Sequence, residues 1–282
     1  MSNPMNTLFI HWSPDIFAFH IGSYGVRWYS LCWAIGIISV TLLEQRLYKE
    51  QRVPDEKFEP LFIYCFLGIL IGARLGHCLF YEPSYYLQHP LEMLLPMKQD
   101  LQGGWHYTGY EGLASHGGTL GLMLALWLFV RKTKLSLRFV LDNIAIVTPI
   151  CACAIRLGNL MNSEIIGKAT SVPWAFIFER VDMLPRHPGQ LYEALCYAVF
   201  FFIGWFIYRR RPQLVGTGFF FGLCLTLIFT ARIFIEYTKE NQVDFENGMF
   251  FNMGQLLSVP FVILGLWCIW QALKKENVEE KK

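Results

Sequence analysis

The chain has 282 residues, of which 54% are hydrophobic and only 16% are charged, and its formal net charge is +2. A soluble globular chain carries about 25% charged residues, so this composition points to a lipid bilayer rather than to water. The small net charge gives no support for a nucleic-acid partner, and the eight cysteines form no CxxC pair and no Cys/His spacing typical of zinc sites.

Seven apolar runs are long enough to cross a membrane as α-helices. A span needs roughly 20 mostly apolar residues, because the hydrocarbon layer is about 30 Å thick and backbone polar groups in lipid must pair within the segment. The runs lack the alternation that is typical of β-barrel strands. The sequence therefore predicts an all-α, polytopic bundle of about seven transmembrane helices, at residues 26–44, 58–80, 113–130, 139–161, 190–208, 215–236 and 253–273.

The distribution of Lys and Arg predicts how these spans are oriented. The segments 45–57, 131–138, 209–214 and 274–282 all lie on the same side of the membrane if each predicted span crosses it once. They contain fifteen of the 24 basic residues, and five lie on the other side. Because loops rich in Lys and Arg remain in the cytoplasm, we expect the N-terminus outside and the C-terminus inside.

Two long loops, 81–112 and 161–189, then lie outside the cytoplasm. The second contains a short β-prone run, Trp174–Phe178, which predicts a small extracytoplasmic element within residues 161–189. The sequence shows no internal repeat and no low-complexity linker. We therefore expect a single integral membrane domain covering residues 1–282.

Four arginines lie within the predicted spans or at their ends: Arg27, Arg74, Arg156 and Arg232. A charge at the centre of a bilayer costs at least about 2.5–3.5 kcal/mol, so such residues are functional by default or lie at an interface. With the predicted orientation, all seven spans place polar residues near their outer ends. Arginines clustered beside lipid head groups indicate phosphate binding, because the guanidinium group holds phosphate through two parallel hydrogen bonds.

The segment from Arg156 to Gly167 is the strongest local signal. It combines one cation, two amides (Asn159 and Asn162), the carboxylate of Glu164 and two glycines at the end of a span. Arg156 and Asn159 are three residues apart and share a helix face. The alternative interpretation is a polar helix cap that leads into a loop.

Other polar groups allow two interpretations each. His116, between small residues at 112–118, is a candidate general base or a structural histidine at a helix contact. Arg232 and Glu236 are four residues apart and are predicted to pair, either in a functional site or as a structural ion pair. Glu193 is interpreted as structural, and Asp142 as a partner for a helix end or a loop.

Motifs along nearly the whole chain follow one another in a recognisable order: Trp28–Tyr29, Gly72–Gly76, Ser115–Gly118, Arg156–Gly167, His187–Glu193, Arg232–Glu236 and Met253–Ser258. In this order and spacing they resemble the prolipoprotein diacylglyceryl transferases of bacteria. Members of that family move the diacylglyceryl group of phosphatidylglycerol to the thiol of a lipobox cysteine in a preprolipoprotein, which forms a thioether and releases glycerol-1-phosphate.

The resemblance implies a site on the periplasmic side of the bacterial cytoplasmic (inner) membrane. The catalytic residues would be Tyr29, His116, Glu164, Arg232 and Glu236. Phosphatidylglycerol would be bound by Arg156, Asn159 and Gly167, and Arg74 joins this group because of its charge near the outer end of the second span. The nucleophile belongs to the acceptor signal peptide, and no metal or organic cofactor is implied.

The sequence departs from the family pattern at three positions. Ser163 stands where the family usually has glycine, Lys168 where it often has arginine, and Thr119 where an apolar residue is common. Lys168 keeps the charge but lacks the planar guanidinium. One alternative function is a transporter or flippase for an anionic lipid, but such proteins often show inverted repeats, and this sequence shows none. A second alternative is an intramembrane protease, but the sequence has no GxSx motif and no paired aspartates in the spans.

Overall fold

The computed structural model describes residues 9–95, 97–100, 103–107, 112–240 and 251–279. These fall into two compact units, described separately below: a first unit of residues 1–46 with 138–282, and a second unit of residues 47–137. The single membrane domain expected from the sequence stays a prediction. Both ends of the chain, and parts of the loop 81–112, lie outside the described residues.

The described part of the chain is mostly helical. Its helices are α1 (Trp28–Glu50), α2 (Asp55–Phe80), α3 (Pro83–Tyr86), α4 (Pro90–Leu94), α5 (Ser115–Thr133), α6 (Leu137–Asn162), α7 (Gly189–Arg210), α8 (Phe219–Glu236) and α9 (Met253–Glu279), with a 3₁₀ turn at Pro212–Leu214. Its strands are β1 (Ile10–Trp12), β2 (Phe17–Ile21), β3 (Tyr24–Arg27), β4 (Met97–Gln99), β5 (Trp105–Tyr107), β6 (Phe176–Phe178) and β7 (Pro185–Arg186).

Six of the described helices are long and apolar enough to cross a membrane: α1, α2, α6, α7, α8 and α9. The predicted class, a helical multi-pass membrane protein, is confirmed, while the number of seven spans holds only approximately. The remaining predicted span, the third in chain order at 113–130, corresponds to α5, which has 19 residues. Its apolar run is short because it begins with Ser115 and His116 and carries Arg131 and Lys132 in its last turn.

In the first unit, a small sheet lies against the end of α6. The strand order is β1-β6-β7, with β1 parallel to β6 and β6 antiparallel to β7. Phe176 and Phe178 pack with Leu160 in one buried cluster, and the Trp12 indole donates to the Leu160 carbonyl at 2.9 Å. The β-prone run predicted at Trp174–Phe178 thus contains strand β6, whose apolar side chains hold the loop after α6 on the helix end.

At the beginning of α6, a buried carboxylate holds the turn between α7 and α8. Asp142 is 0% exposed and accepts hydrogen bonds from three backbone N–H groups, those of Gly216 (2.8 Å), Gly218 (2.9 Å) and Phe221 (2.9 Å). The expectation that Asp142 serves as a loop partner is therefore confirmed.

In the second unit, α2 packs on α5 through glycines. The positions where side chains would stand on Gly72 and Gly117 are occupied by the backbone of the facing helix, and Gly68 and Gly76 make similar contacts. Small residues at such spacing let two membrane helices approach closely. The glycines near His116 therefore serve helix packing.

Candidate active site

In the first unit, helix α6 ends in a turn that fixes the direction of the chain after Asn162. Ser163 adopts a left-handed backbone conformation (φ 56°), and the Glu164 N–H donates to the Asn159 carbonyl at 3.0 Å. A left-handed residue at this point of a helix end is usually glycine, because a Cβ atom is disfavoured there. Glycine would adopt this conformation without strain, whereas Ser163 adopts it at a cost.

Because of this turn, the Glu164 carboxylate contacts the last residues of α6. Its two oxygens accept hydrogen bonds from the side-chain amides of Asn159 and Asn162, each at 3.0 Å. The Asn159 amide oxygen in turn accepts from Nη1 of Arg156 at 3.3 Å. The predicted segment therefore brings its cation, amides and carboxylate together, as its spacing indicated.

A second helix contributes the carboxylate that holds Arg156. Glu193, one turn into α7, is 1% exposed, and its Oε2 lies 2.7 Å from Nε of Arg156 in an ion pair that lacks hydrogen-bond alignment. Its Oε1 accepts a hydrogen bond from Nζ of Lys239 at 2.8 Å. Both oxygens of Glu193 are thus shared between two cations, which places this residue at the centre of the cluster.

The end of α8 provides the remaining charges. Lys239 is 4% exposed, and its Nζ also lies 3.3 Å from Oε2 of Glu236. The described residues show Glu236 paired with Lys239, just beyond the helix end, and show no ion pair between Glu236 and Arg232, so their pairing stays a prediction. Gly254 of α9 has its Cα beside Glu236, since a Cβ there would lie 2.8 Å from Oε1. That contact holds the carboxylate against the start of α9.

These contacts form one continuous polar chain, which we call the ionic cluster. It runs through Asn162, Glu164, Asn159, Arg156, Glu193, Lys239 and Glu236. Arg232 lies near it, since the Tyr197 hydroxyl is within electrostatic range of both Arg156 and Arg232. The cluster with Arg232 contains three cations and three carboxylates, so it is close to neutral before any anion binds.

Buried polar atoms without hydrogen bonds concentrate around this cluster. In the described residues, they include Arg232 Nε, Glu236 Oε2, Ser163 Oγ, Asn162 Oδ1 and both amide atoms of Gln190. Buried polar groups in native proteins are nearly always paired, with protein or with water. A concentration of open partners at one end of the bundle is therefore typical of a site that receives a polar ligand.

Tyr29 and Gly167 lie beside the cluster as packing elements. The Tyr29 ring lies against Gly158 of α6, where a Cβ would come within 3.0 Å of Cδ2. A Cβ on Gly167 would lie 2.5 Å from the Thr238 carbonyl and 2.6 Å from Cβ of His187. Gly167 therefore allows three segments to cross closely, the loop after α6, the segment before α7 and the segment after α8.

An ion-paired arginine secures this crossing. Arg186 donates to the Gly167 carbonyl at 3.2 Å and pairs with Asp182 and Glu240. Its hydrogen bonds to Asp182 lower the pKa of that carboxyl, and the same bonds raise the pKa of the Arg186 guanidinium. The neighbouring His187 is half-buried, and this burial lowers the pKa of its imidazole.

The other two predicted site residues, Arg74 and His116, belong to the second unit. Arg74 is buried, and its guanidinium donates to the carbonyls of Glu92 (2.7 Å) and Met93 (3.1 Å) and lies over the Tyr86 ring. These contacts fix the end of α4. The role of Arg74 in lipid binding stays a prediction.

His116 is exposed at the start of α5. Its ring stacks on Tyr81 at 5.9 Å between centroids, and Tyr81 stacks on His77 at 5.5 Å. The three rings form a continuous stack within the second unit.

Three residues of the site were not predicted from the sequence. From the sequence, Lys239 is one of the five basic residues on the outer side, Glu193 is interpreted as structural, and Gln190 has no assigned role. One signal is available in the sequence: Gln190 and Glu193 are three residues apart on α7 and share a helix face. Among the residues that the structure describes, no group of three or more His, Cys, Asp or Glu side chains is arranged to hold a metal ion.

Fold and site together define a helical multi-pass membrane protein with an ionic cluster buried at one end of its bundle. Residues 16–271 match the sequence profile described as prolipoprotein diacylglyceryl transferase. The chain belongs to the prolipoprotein diacylglyceryl transferase family.

Three proteins named phosphatidylglycerol–prolipoprotein diacylglyceryl transferase illustrate the similarity. The Bacteroides fragilis protein is 57% identical over 98% of this chain and 100% of its own length. The Tolumonas auensis protein is 44% identical over 91% and 95% of the two chains. The Porphyromonas gingivalis protein is 40% identical over 94% and 95%. The family resemblance inferred from the motifs is therefore confirmed.

Proposed function

We propose that this protein transfers the diacylglyceryl group of phosphatidylglycerol to the thiol of a lipobox cysteine in a preprolipoprotein. The sulfur forms a bond to the terminal glyceryl carbon, the bond from that carbon to the phosphate oxygen breaks, and glycerol-1-phosphate leaves. The observation that carries this proposal is the ionic cluster, in which Arg156, Asn159 and Glu193 meet in a partly buried site where several polar atoms of the described residues lack hydrogen bonds.

The basic groups of the cluster suit an anionic phosphodiester. Arg232 has a buried Nε without a hydrogen-bond partner in the described residues, and Arg156 is held by Asn159 and Glu193. Both guanidinium groups are assigned to the lipid phosphate, where they stabilise the charge that grows on the leaving group. Because the cluster without ligand is nearly neutral, a bound phosphate competes with the carboxylates of the cluster for the guanidinium groups.

The remaining predicted residues receive supporting roles in this proposal. Asn159 and Glu164 orient Arg156, and Tyr29 and Gly167 shape the walls of the site. The thiol must lose its proton, because only the thiolate is strongly nucleophilic. His116, whose imidazole is exposed, is assigned as the base, and Glu236 tunes the positive charge of Lys239. Arg74 keeps its assignment to lipid binding.

The protein is a multi-pass membrane protein, and we place it in the bacterial inner membrane with the cluster toward the periplasm. The excess of Lys and Arg in segments 45–57, 131–138 and 209–214 supports this orientation. The lipid donor then lies in the same leaflet as the cluster.

The orientation can be tested by labelling a variant without native cysteines. A single cysteine at Glu179 should react with a membrane-impermeant maleimide from the periplasmic side, and one at Arg211 should not. The reverse pattern would contradict the placement.

A transfer assay tests the reaction itself. Phosphatidylglycerol with labelled acyl chains and a lipobox peptide are incubated with the purified protein, and the product is identified by mass spectrometry. Arg156→Ala and Arg232→Ala should each lower the transfer rate at least about 100-fold, because each removes a donor to the developing phosphate charge. Arg211→Ala, at an exposed side chain of the opposite helix end, should keep the rate.

Two results would overturn the proposal. Full activity of either cluster variant would refute its assigned role. Movement of lipid between leaflets without a covalent product would favour the rival transporter or flippase.

A further inference from the structure

Gln190 is the most unusual polar side chain of the first unit. It is 0% exposed, and neither its amide oxygen nor its amide nitrogen has a hydrogen-bond partner among the described residues. Within this part of the chain, it is the only side chain with two such orphaned atoms. An unpaired buried amide destabilises a protein, so its presence at this position calls for a partner that the described residues do not supply.

The position of Gln190 places it in the site. It is the second residue of α7, one turn before Glu193, and residues three apart lie on the same face of a helix. The adjacent Gly189 lies against Lys239, since a Cβ there would be 3.5 Å from Cγ of that lysine. Gln190 thus stands next to the carboxylate that joins Arg156 to Lys239, at the edge of the ionic cluster.

The chemistry of the amide restricts its partner. A glutamine side chain offers one acceptor and two N–H donors in a plane, which complements hydroxyl groups, since each hydroxyl both donates and accepts. A phosphodiester can accept from its N–H groups but has no proton to donate to its amide oxygen, whereas a hydroxyl can satisfy both atoms. In phosphatidylglycerol, the hydroxyls lie on the head-group glycerol, directly beyond the phosphate that we assign to Arg156 and Arg232.

We propose that Gln190 binds the hydroxyl groups of the head-group glycerol and so selects phosphatidylglycerol among anionic phospholipids. This inference rests on the proposed transferase function and adds a specificity determinant to it. A site built to hydrogen-bond a hydroxyl discriminates strongly against an analogue without it, because its own polar groups are then left unpaired.

The stability of the unliganded protein separates this role from a structural one. Gln190→Met removes both orphaned atoms and keeps the length and approximate volume of the side chain. It should therefore raise the unfolding temperature of the protein in detergent, or leave it unchanged. If Gln190 instead had a structural role, the substitution would lower the unfolding temperature of the protein.

Gln255 provides a matched control. It is also buried, at 3% exposure, but its amide is fully used: Nε2 donates to the Ile233 carbonyl at 3.0 Å, and Oε1 accepts from the Asn252 N–H at 3.1 Å. Gln255→Met should lower the unfolding temperature and leave the preference between lipid donors as in the wild type.

The decisive measurement compares two donors, phosphatidylglycerol and phosphatidylmethanol, an anionic phosphodiester whose head group has no hydroxyl. For the wild type, kcat/KM should favour phosphatidylglycerol by at least about tenfold. In Gln190→Met, kcat/KM for phosphatidylglycerol should fall by about that factor, while the value for phosphatidylmethanol changes little, so that the preference is lost. Gln190→Leu serves as a second apolar variant should the Met variant not fold.

The outcomes distinguish this inference from the transferase proposal. An equal fall with both donors, or an unchanged preference, would overturn the role of Gln190 while the transferase function stands. A fall in unfolding temperature equal to that of Gln255→Met would also overturn it, because Gln190 would then be structural. If the wild type forms no thioether with either donor, the proposed function itself is refuted.

Discussion

Buried polar groups at the two ends of helix α6 differ in how completely they are hydrogen-bonded. Near its beginning, Asp142 is completely buried and accepts three backbone hydrogen bonds from the turn that leads into α8. Near its end, around the ionic cluster, Arg232 Nε and both amide atoms of Gln190 have no hydrogen-bond partner among the described residues. The comparison teaches that burial alone does not mark function: a buried group with its hydrogen bonds complete serves structure, and one left incomplete is available to a ligand.

The largest effect should come from removing the paired group. Asp142→Ala leaves three backbone N–H groups without an acceptor, and we expect it to destabilise the protein by roughly 3–5 kcal/mol. Thermal unfolding in detergent measures this loss. Asp142→Asn keeps one acceptor oxygen, so its stability should lie between that of Asp142→Ala and that of the wild type. The protein that remains folded should transfer at the wild-type rate; a specific loss of activity would break the comparison.

A substitution in the ionic cluster should lower the transfer rate more than the stability, the opposite of Asp142→Ala. Glu193→Gln keeps the shape of the side chain but removes the charge shared between Arg156 and Lys239. The two cations are then no longer held in place, and we expect the transfer rate to fall about 10–100-fold, as for a displaced catalytic group. The unfolding temperature should change less than in Asp142→Ala. A large loss of stability with unchanged transfer would show that this carboxylate is structural.

A smaller effect is expected where the backbone itself is strained. Ser163 combines a left-handed conformation with a buried hydroxyl that has no partner in the part of the chain that the structure describes. Ser163→Gly removes both features and should stabilise the protein by about 1 kcal/mol. Thermal unfolding checks the gain, and Ser163→Ala, which removes the hydroxyl but keeps the Cβ atom, is the matched control. Equal stability of the glycine and alanine variants would show that the backbone conformation contributes nothing.

The smallest effect concerns pH. Burial lowers the pKa of His187 below its ordinary value of 6.5, so in mildly acidic solution the unfolded chain binds a proton that the folded protein does not. Stability should therefore decrease as the pH falls through about 6.5 toward the lower folded pKa, and it should be complete above about pH 7. Unfolding temperatures measured across this range should vary less in His187→Gln. An equally steep dependence in the variant would assign it to other groups.

Much of the fold follows from local sequence. The span predicted at 139–161 corresponds to α6 at Leu137–Asn162, because one long apolar run has one favourable conformation in lipid. The short run at Trp174–Phe178 contains β6 for a similar reason, since its apolar residues cover the buried end of α6. The predicted span at 113–130 is long enough to cross a membrane as the 19-residue α5, but its mean hydropathy is too low, because polar and basic residues occupy both ends of the helix.

The site was harder to predict because its partners are distant in sequence. The contacts within Arg156–Glu164 follow from helical spacing and the turn at Ser163. The pairing of Glu236 with Lys239 does not, because the chain leaves the helix after Glu236 and the lysine returns toward Glu193 of another helix. Nor can spacing reveal that the amide of Gln190 lacks a partner, because this depends on every element around it.

The ionic cluster also has a consequence for how the protein enters the membrane. Arg156 is synthesised well before Glu193, and Glu193 well before Lys239, so the newly made chain presents each charge to the insertion machinery before its counter-charge exists. Until α7 arrives, the guanidinium of Arg156 has only the local side chains of Asn159 and Glu164 for compensation. Helix α6 must therefore remain in a hydrated environment during translation, and its release into lipid is coupled to the arrival of the later helices.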